Sequence, residues 1–351
     1  MPLWQNRPKL VLAVLTGAHL AVDLACFYLL FGIFRPHFGD LAQVSQGFLL
    51  YNVIAFGLQP VIGAGLDRLY RPRLAPVSCL LIALALLLGA RFAWMGLIVA
   101  ALGNAGFHAA GGLLSLRLSR GRAAVPGLFV SSGAVGVSGG MILAAHLCPL
   151  GPVLVLLFVA AALLACCGQP SAAARPFAVS FRRLPFGWLL LLILAAVVIR
   201  ALAGGLAPMA WRSGDLGILL AGVAAAAGKA LGGLSGDRFG LRATALISLL
   251  LSLPLLCLGG QMMWLALAGL LLFNMAMPVT LCAAAALLPH SPGLAFGSTT
   301  LALLLGTVPL FFLQLTSGTA AATVAVSGLI AALCLNAALA PRRSENEQIS
   351  A

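Results

Sequence analysis

Charge is scarce in this sequence. Asp, Glu, Lys and Arg make up 8% of the 351 residues, where a soluble domain carries about a quarter. That scarcity excludes an ordinary water-soluble globule. Paired cysteines are missing as well. Cys26, Cys79, Cys148, Cys166, Cys167, Cys257, Cys282 and Cys334 form no C-x-x-C and lie in or beside apolar runs. Neither a disulfide framework nor a zinc ribbon fits, and they read as small buried hydrophobes. There is no H-E-x-x-H, no Walker A loop and no polar stretch able to hold ATP. Neither Asp67 nor Asp237 has a second intramembrane carboxylate for paired acid–base work, so no enzyme, cofactor or metal is expected.

What fills the chain is apolar: 62% of it. A membrane span needs roughly 20 such residues to cross a hydrocarbon core of about 30 Å. Twelve segments satisfy this, at 10–34, 41–66, 74–90, 92–116, 124–147, 151–168, 186–208, 214–236, 243–260, 262–288, 293–315 and 318–340. The first carries His19 and Asp23 and is too long for a signal-peptide core, so it reads as a span. The net charge of +13 comes from small basic groups between apolar runs, which fits membrane loops and not a nucleic-acid partner. Of the 20 Lys and Arg residues, most fall on one side, Arg35, Arg91 and Arg212 on the other, and Arg200 and Lys229 within spans. Both termini are therefore expected in the cytoplasm of a multi-pass inner-membrane protein.

Residues 169–185, QPSAAARPFAVSFRRLP, are the longest polar and proline-bearing stretch and read as a linker. The expected organisation is a six-helix bundle over 1–168, the linker over 169–185, a second bundle over 186–340 and a tail over 341–351. An internal repeat supports two halves. Gly63-Ala-Gly-Leu-Asp67-Arg68 follows the second segment, and Gly233-Leu-Ser-Gly-Asp237-Arg238 follows the eighth, with the aspartates 170 residues apart. Parallel repeats related by an axis along the membrane normal are a transporter architecture.

These copies resemble the G-x-x-x-D-R-x-G-x-R loop of the major facilitator superfamily. The second copy continues through Gly240 and Arg242, while the first reaches Arg71 with Tyr70 in place of glycine. A narrower resemblance is to the fosmidomycin-resistance-like branch. It rests on His19-Leu-Ala-Val-Asp23, on Gly103-Asn104-Ala-Gly-Phe107-His108, and on Phe129-x-x-Ser132-Gly133-x-x-Gly136-x-x-Gly139-Gly140. Ala109-Ala110 stands where that branch has Pro-Glu, and Met141 where it has proline. The resemblance implies an all-α fold of twelve transmembrane helices in two pseudo-symmetric bundles. It also implies that Gly63, Asp67, Arg68, Arg71, Gly233, Asp237, Arg238, Gly240 and Arg242 form gating loops. Segments one, four, seven and eight would line a central cavity.

Those segments hold the mid-span polar groups. An ionisable side chain at bilayer depth costs at least a few kcal/mol, so it normally serves a pathway. Asp23 and His19 share one helix face. Asp23 is expected to carry a coupling proton, or else to pin neighbouring helices. Arg200 keeps its proton and offers a planar fork to a carboxylate, phosphonate or sulfonate, or pairs with Asp23. Lys229 either lines the cavity or snorkels to the surface. His108 with Asn104, and Asn274 beside Pro278, either face the cavity or serve helix packing. Gly133, Gly136, Gly139 and Gly140 recur at helical spacing and let another helix approach.

The reading is a secondary transporter that works as a monomer among membrane lipids. It moves a small anionic or zwitterionic organic solute by alternating access, in proton-coupled efflux. Uptake or facilitated diffusion, and a non-transporting receptor or assembly protein on the same scaffold, are the alternatives.

Overall fold

The computed structural model describes residues 7–69, 73–167, 176–260, 262–313 and 315–341. Tyr70, Arg71, Arg175, Arg342 and Arg343 lie outside the described residues, as do 169–175 of the expected linker and 342–351 of the expected tail. The described residues form fourteen α-helices. They are α1 (Pro8–Tyr28), α2 (Leu41–Gly57), α3 (Gln59–Leu69), α4 (Leu74–Gly89), α5 (Ala93–Leu118), α6 (Ala124–Ala145), α7 (Leu150–Cys166), α8 (Phe186–Leu206), α9 (Asp215–Phe239), α10 (Leu241–Leu258), α11 (Met263–Asn274), α12 (Ala276–Leu287), α13 (Pro292–Thr307) and α14 (Ser317–Ala338). No strand occurs among them, only an isolated antiparallel bridge between Phe181 and Leu339.

Ten spans are long and apolar enough to cross a membrane, and α4 and α7 are shorter apolar helices. Together they account for the twelve expected segments. In lipid every backbone N–H and C=O must be paired within the segment, so Leu- and Ala-rich runs become continuous helix. The fourteen helices arise because two spans are broken. Leu41–Leu69 is α2 plus α3, and Met263–Leu287 is α11 plus α12. The second break, at Met275, falls between Asn274 and Pro278, which has no N–H to donate. The first, at Leu58, was not anticipated. There Gln59 opens a new helix with Pro60, which has no N–H to donate, in its first turn.

Buried apolar side chains form two clusters. One is drawn mainly from α1 to α7, with Phe107, Phe129 and Leu15 among its fully buried members, and the other from α8 to α14. The halves meet along two seams. α6 packs on α9, and α13 packs on α2, α3 and α5. Glycine makes both seams close: a Cβ at Gly63 would overlap the Gly293 carbonyl oxygen, and one at Gly233 would overlap that of Ala123. The described part of the linker is fixed to the end of α14. Arg182 N–H donates to the Ala338 carbonyl at 3.0 Å, and Ala340 N–H to that of Ser180 at 2.8 Å.

Candidate functional site

The mid-span polar residues of the first half come together. α1 presents His19 and Asp23 one turn apart, and α5 brings His108 to them. His19 Nδ1 is 2.7 Å from the Phe129 carbonyl oxygen, and His108 Nδ1 is 3.0 Å from that of Asn104. A carbonyl only accepts, so both Nδ1 atoms carry the hydrogen and donate. The two Nε2 atoms then face each other at 3.0 Å. Asp23 places Oδ2 at 3.3 Å from His19 Nε2 and Oδ1 at 3.4 Å from His108 Nε2. His19 also stacks on Phe129, with ring centroids 4.6 Å apart.

Gly133 makes room for this cluster. A Cβ there would overlap Asp23 Oδ2 and His19 Nε2. Gly136 and Gly140 continue the stripe against the Leu20 and Leu24 carbonyl oxygens of α1. Gly139, by contrast, meets only the Leu24 side chain at an ordinary 3.4 Å. Asn104 lies one turn from His108, and its side-chain NH₂ donates to Cys26 Sγ at 3.6 Å. Its contribution to the cluster is its backbone carbonyl.

The second half supplies two cations. Arg200 on α8 is 5% exposed, and its guanidinium lies over the Phe273 ring, 5.6 Å from the centroid. Its Nε is buried with no hydrogen-bond partner, and Arg200 forms no ion pair among the described residues. Lys229 on α9 interacts electrostatically with both Asp23 and Arg200, again without an ion pair. The charge facing Asp23 from the other half is thus Lys229. Asn274 spends its NH₂ on the Leu270 carbonyl of its own helix at 2.8 Å, and its Cβ sits against Gly228 beside Lys229.

Each repeated motif reaches the start of a helix in the opposite half. Asp67, at the end of α3, accepts from the N–H groups of Gly293 and Leu294, each at 2.8 Å. Asp237, at the end of α9, accepts from those of Ala123 at 2.6 Å and Ala124 at 3.0 Å. Each aspartate caps the first turn of a helix in the opposite half. Such N–H groups have no intrahelical partner, and a carboxylate both satisfies them and suits the positive end of the helix dipole. Neither α6 nor α13 has a side-chain cap of its own. Arg68 and Arg238 are exposed, the latter over the Phe239 ring. Arg242 donates to Asn336 Oδ1 at 2.6 Å. Gly240 takes φ +89°, a left-handed backbone that glycine adopts without strain, to end α9.

Several participants were not read from the sequence. Phe273, the amides of Ala123, Ala124, Gly293 and Leu294, and the His146–Asp215 pair had not been singled out. The latter, at 2.5 Å, joins α6 to α9 at the end opposite the motifs. The uncapped starts of α6 and α13 were the available signal for the amides.

No family model matches the sequence, and no curated protein matches it. Solved structures do. The fucose:proton symporter FucP of E. coli aligns over 93% of this chain and 96% of its own, with a TM-score of 0.62 and 16% identity. The human organic anion transporter MFSD10 (TETRAN) aligns over 95% and 100%, with 0.64 and 16%. A further structure, the major facilitator superfamily (MFS) transporter FucP in the outward conformation, aligns over 93% and 96%, with 0.64 and 15%. This chain is a multi-pass membrane protein with the major facilitator fold, and at these identities the likeness is one of fold.

Proposed function

We propose that the chain is a secondary transporter that exports a small organic anion or zwitterion by alternating access, driven by the proton gradient. The observation that carries this reading is Arg200, buried at mid-span, with its Nε unpartnered and no acceptor or ion-pair partner among the described residues. An unpaired buried charge costs several kcal/mol. A planar fork left open in this way is suited to an anion that brings its own oxygens, in bidentate hydrogen bonds. Lys229 adds a second positive charge from α9, and the Phe273 ring gives the guanidinium a face to lie on.

The two aspartate caps are the gate of this cycle. They hold the halves together at the motif-bearing end, which the Lys and Arg distribution puts in the cytoplasm. Release of both would let the halves rock apart there, with the α6–α9 and α13 seams as the surfaces that move. The similarity to a fucose:proton symporter and an organic anion transporter is consistent with this use of the fold.

A thermal-shift screen of phosphonates, sulfonates and carboxylates on the purified protein tests the anion site. Some members should raise the melting temperature of the wild type and leave Arg200→Met unmoved. No stabilising member, or equal shifts in both proteins, ends the reading. Flux of a hit from proteoliposomes should then accelerate under an imposed pH gradient, and flux indifferent to that gradient removes proton drive alone.

A further inference from the structure

The geometry points to a divalent transition-metal site of the zinc class at His19 Nε2, His108 Nε2 and Asp23. It is a feature of the first half and stands whether or not the chain carries an anion, and an ion there competes with a coupling proton for the same three groups.

The argument begins with the tautomers. Both Nδ1 atoms donate to backbone carbonyls, of Phe129 and Asn104. In neutral rings this leaves a lone pair on each Nε2. Those lone pairs face each other at 3.0 Å, and the third group between them is a carboxylate. Three acceptors converge with no donor among them. One positive occupant has to sit there, either a proton or a metal ion.

The distances to Asp23 favour the ion. A proton that makes one ring an imidazolium would draw the carboxylate in to about 2.7–2.9 Å. Asp23 instead stands at 3.3 and 3.4 Å from the two Nε2 atoms. A tetrahedral ion bound at about 2.0–2.1 Å keeps its ligand atoms about 3.3 Å apart. The Asp23 separations of 3.3 and 3.4 Å are those of such ligands, while the 3.0 Å between the two Nε2 atoms is shorter and is also the length of an N–H···N hydrogen bond, so an ion must spread the rings by about 0.3 Å. The surroundings agree. A metal-bound histidine typically donates its other N–H to a carbonyl or carboxylate, which fixes ring orientation and tautomer. Both rings here do so. Phe107 and Phe129 wall the site, and Gly133 leaves the space that a Cβ would fill. Imidazole suits zinc, copper, iron and nickel, and two imidazoles with one carboxylate are a donor set shared by catalytic zinc and non-haem iron(II) sites.

Three protein ligands leave a fourth position for water or for an anionic group. Both ligand-bearing helices, α1 and α5, belong to the same half. An ion would hold them to each other without crossing the seams, while Lys229 faces the cluster from the other half without an ion pair.

The test uses tag-free protein in detergent, stripped by a chelator and titrated with Co²⁺. One equivalent should produce the visible absorption of a tetrahedral ion, and one equivalent of Zn²⁺ should abolish it. His19→Gln, His108→Gln and Asp23→Asn should each weaken binding at least about tenfold. His37→Gln and His290→Gln, on exposed histidines, should leave the absorption unchanged. Gel filtration checks that each variant is folded. Should the histidine variants aggregate, a Zn²⁺-induced rise in melting temperature in the wild type and its loss in Asp23→Asn decide the matter. Absence of the absorption at one equivalent, or its persistence in His108→Gln and Asp23→Asn, overturns the proposal and leaves a proton as the occupant.

Discussion

The two halves treat their buried polar groups in opposite ways. In the first, His19, Asp23 and His108 converge on one another, and both rings are tied to backbone carbonyls. In the second, among the described residues, Arg200 has an aromatic face beneath it and no acceptor, and Lys229 meets Asp23 and Arg200 only through space. A fold with two pseudo-symmetric bundles thus carries an asymmetric interior. One bundle holds an organised cluster, and the other holds charge that awaits a counterpart.

The organised half depends on close approach of α1 and α6, and that dependence can be broken one glycine at a time. Gly136→Ala and Gly140→Ala push a Cβ into backbone carbonyls, which no rotamer change relieves. Each should destabilise by about 1–3 kcal/mol, the usual range for overpacking. Gly139→Ala, in ordinary van der Waals contact, should be near neutral. Thermal melts in detergent report all three, and equal losses would show that the seam is not what seats the cluster.

Substitution by an apolar residue should have opposite signs in the two halves. Arg200→Met removes a buried charge that has no partner, so the ligand-free protein should gain about 1–2 kcal/mol. His108→Leu removes the side-chain bond to the Asn104 carbonyl and strands His19 and Asp23, so it should lose about 2 kcal/mol. The same sign for both would erase the contrast.

The smallest effects belong to the caps. Loss of an N-cap side chain costs about 0.5–2 kcal/mol. Asp67 is part-buried whereas Asp237 is exposed, so Asp67→Ala should cost more than Asp237→Ala. Cysteine-accessibility labelling at the motif-bearing end should rise in the same order.

Much of the architecture was legible because lipid leaves the backbone few choices. Apolar runs had to be helices, and their ends fell at the charged or glycine-rich punctuation. The break at Leu58 was not legible, since Gln59-Pro60 reads equally well as a helix passing through the first turn of its second piece. Within the site, His19 and Asp23 announce themselves by a four-residue spacing. His108 lies 89 positions from His19 and joins it only through packing. Phe273 carries no polar signature that ties it to Arg200. The partners of Asp67 and Asp237 are backbone amides, which no residue type marks.

The divided second span has a mechanical corollary. α3 is 11 residues long, about 16 Å at the rise of an α-helix, and carries Asp67 at its tip. α9 is a single unbroken rod of 25 residues that ends at Asp237's turn. In the proposed cycle, one latch can therefore swing on a short lever pivoting at Leu58, whereas the other must drag a whole helix through the bilayer. The two latches would then let go at unequal speeds, the lever first.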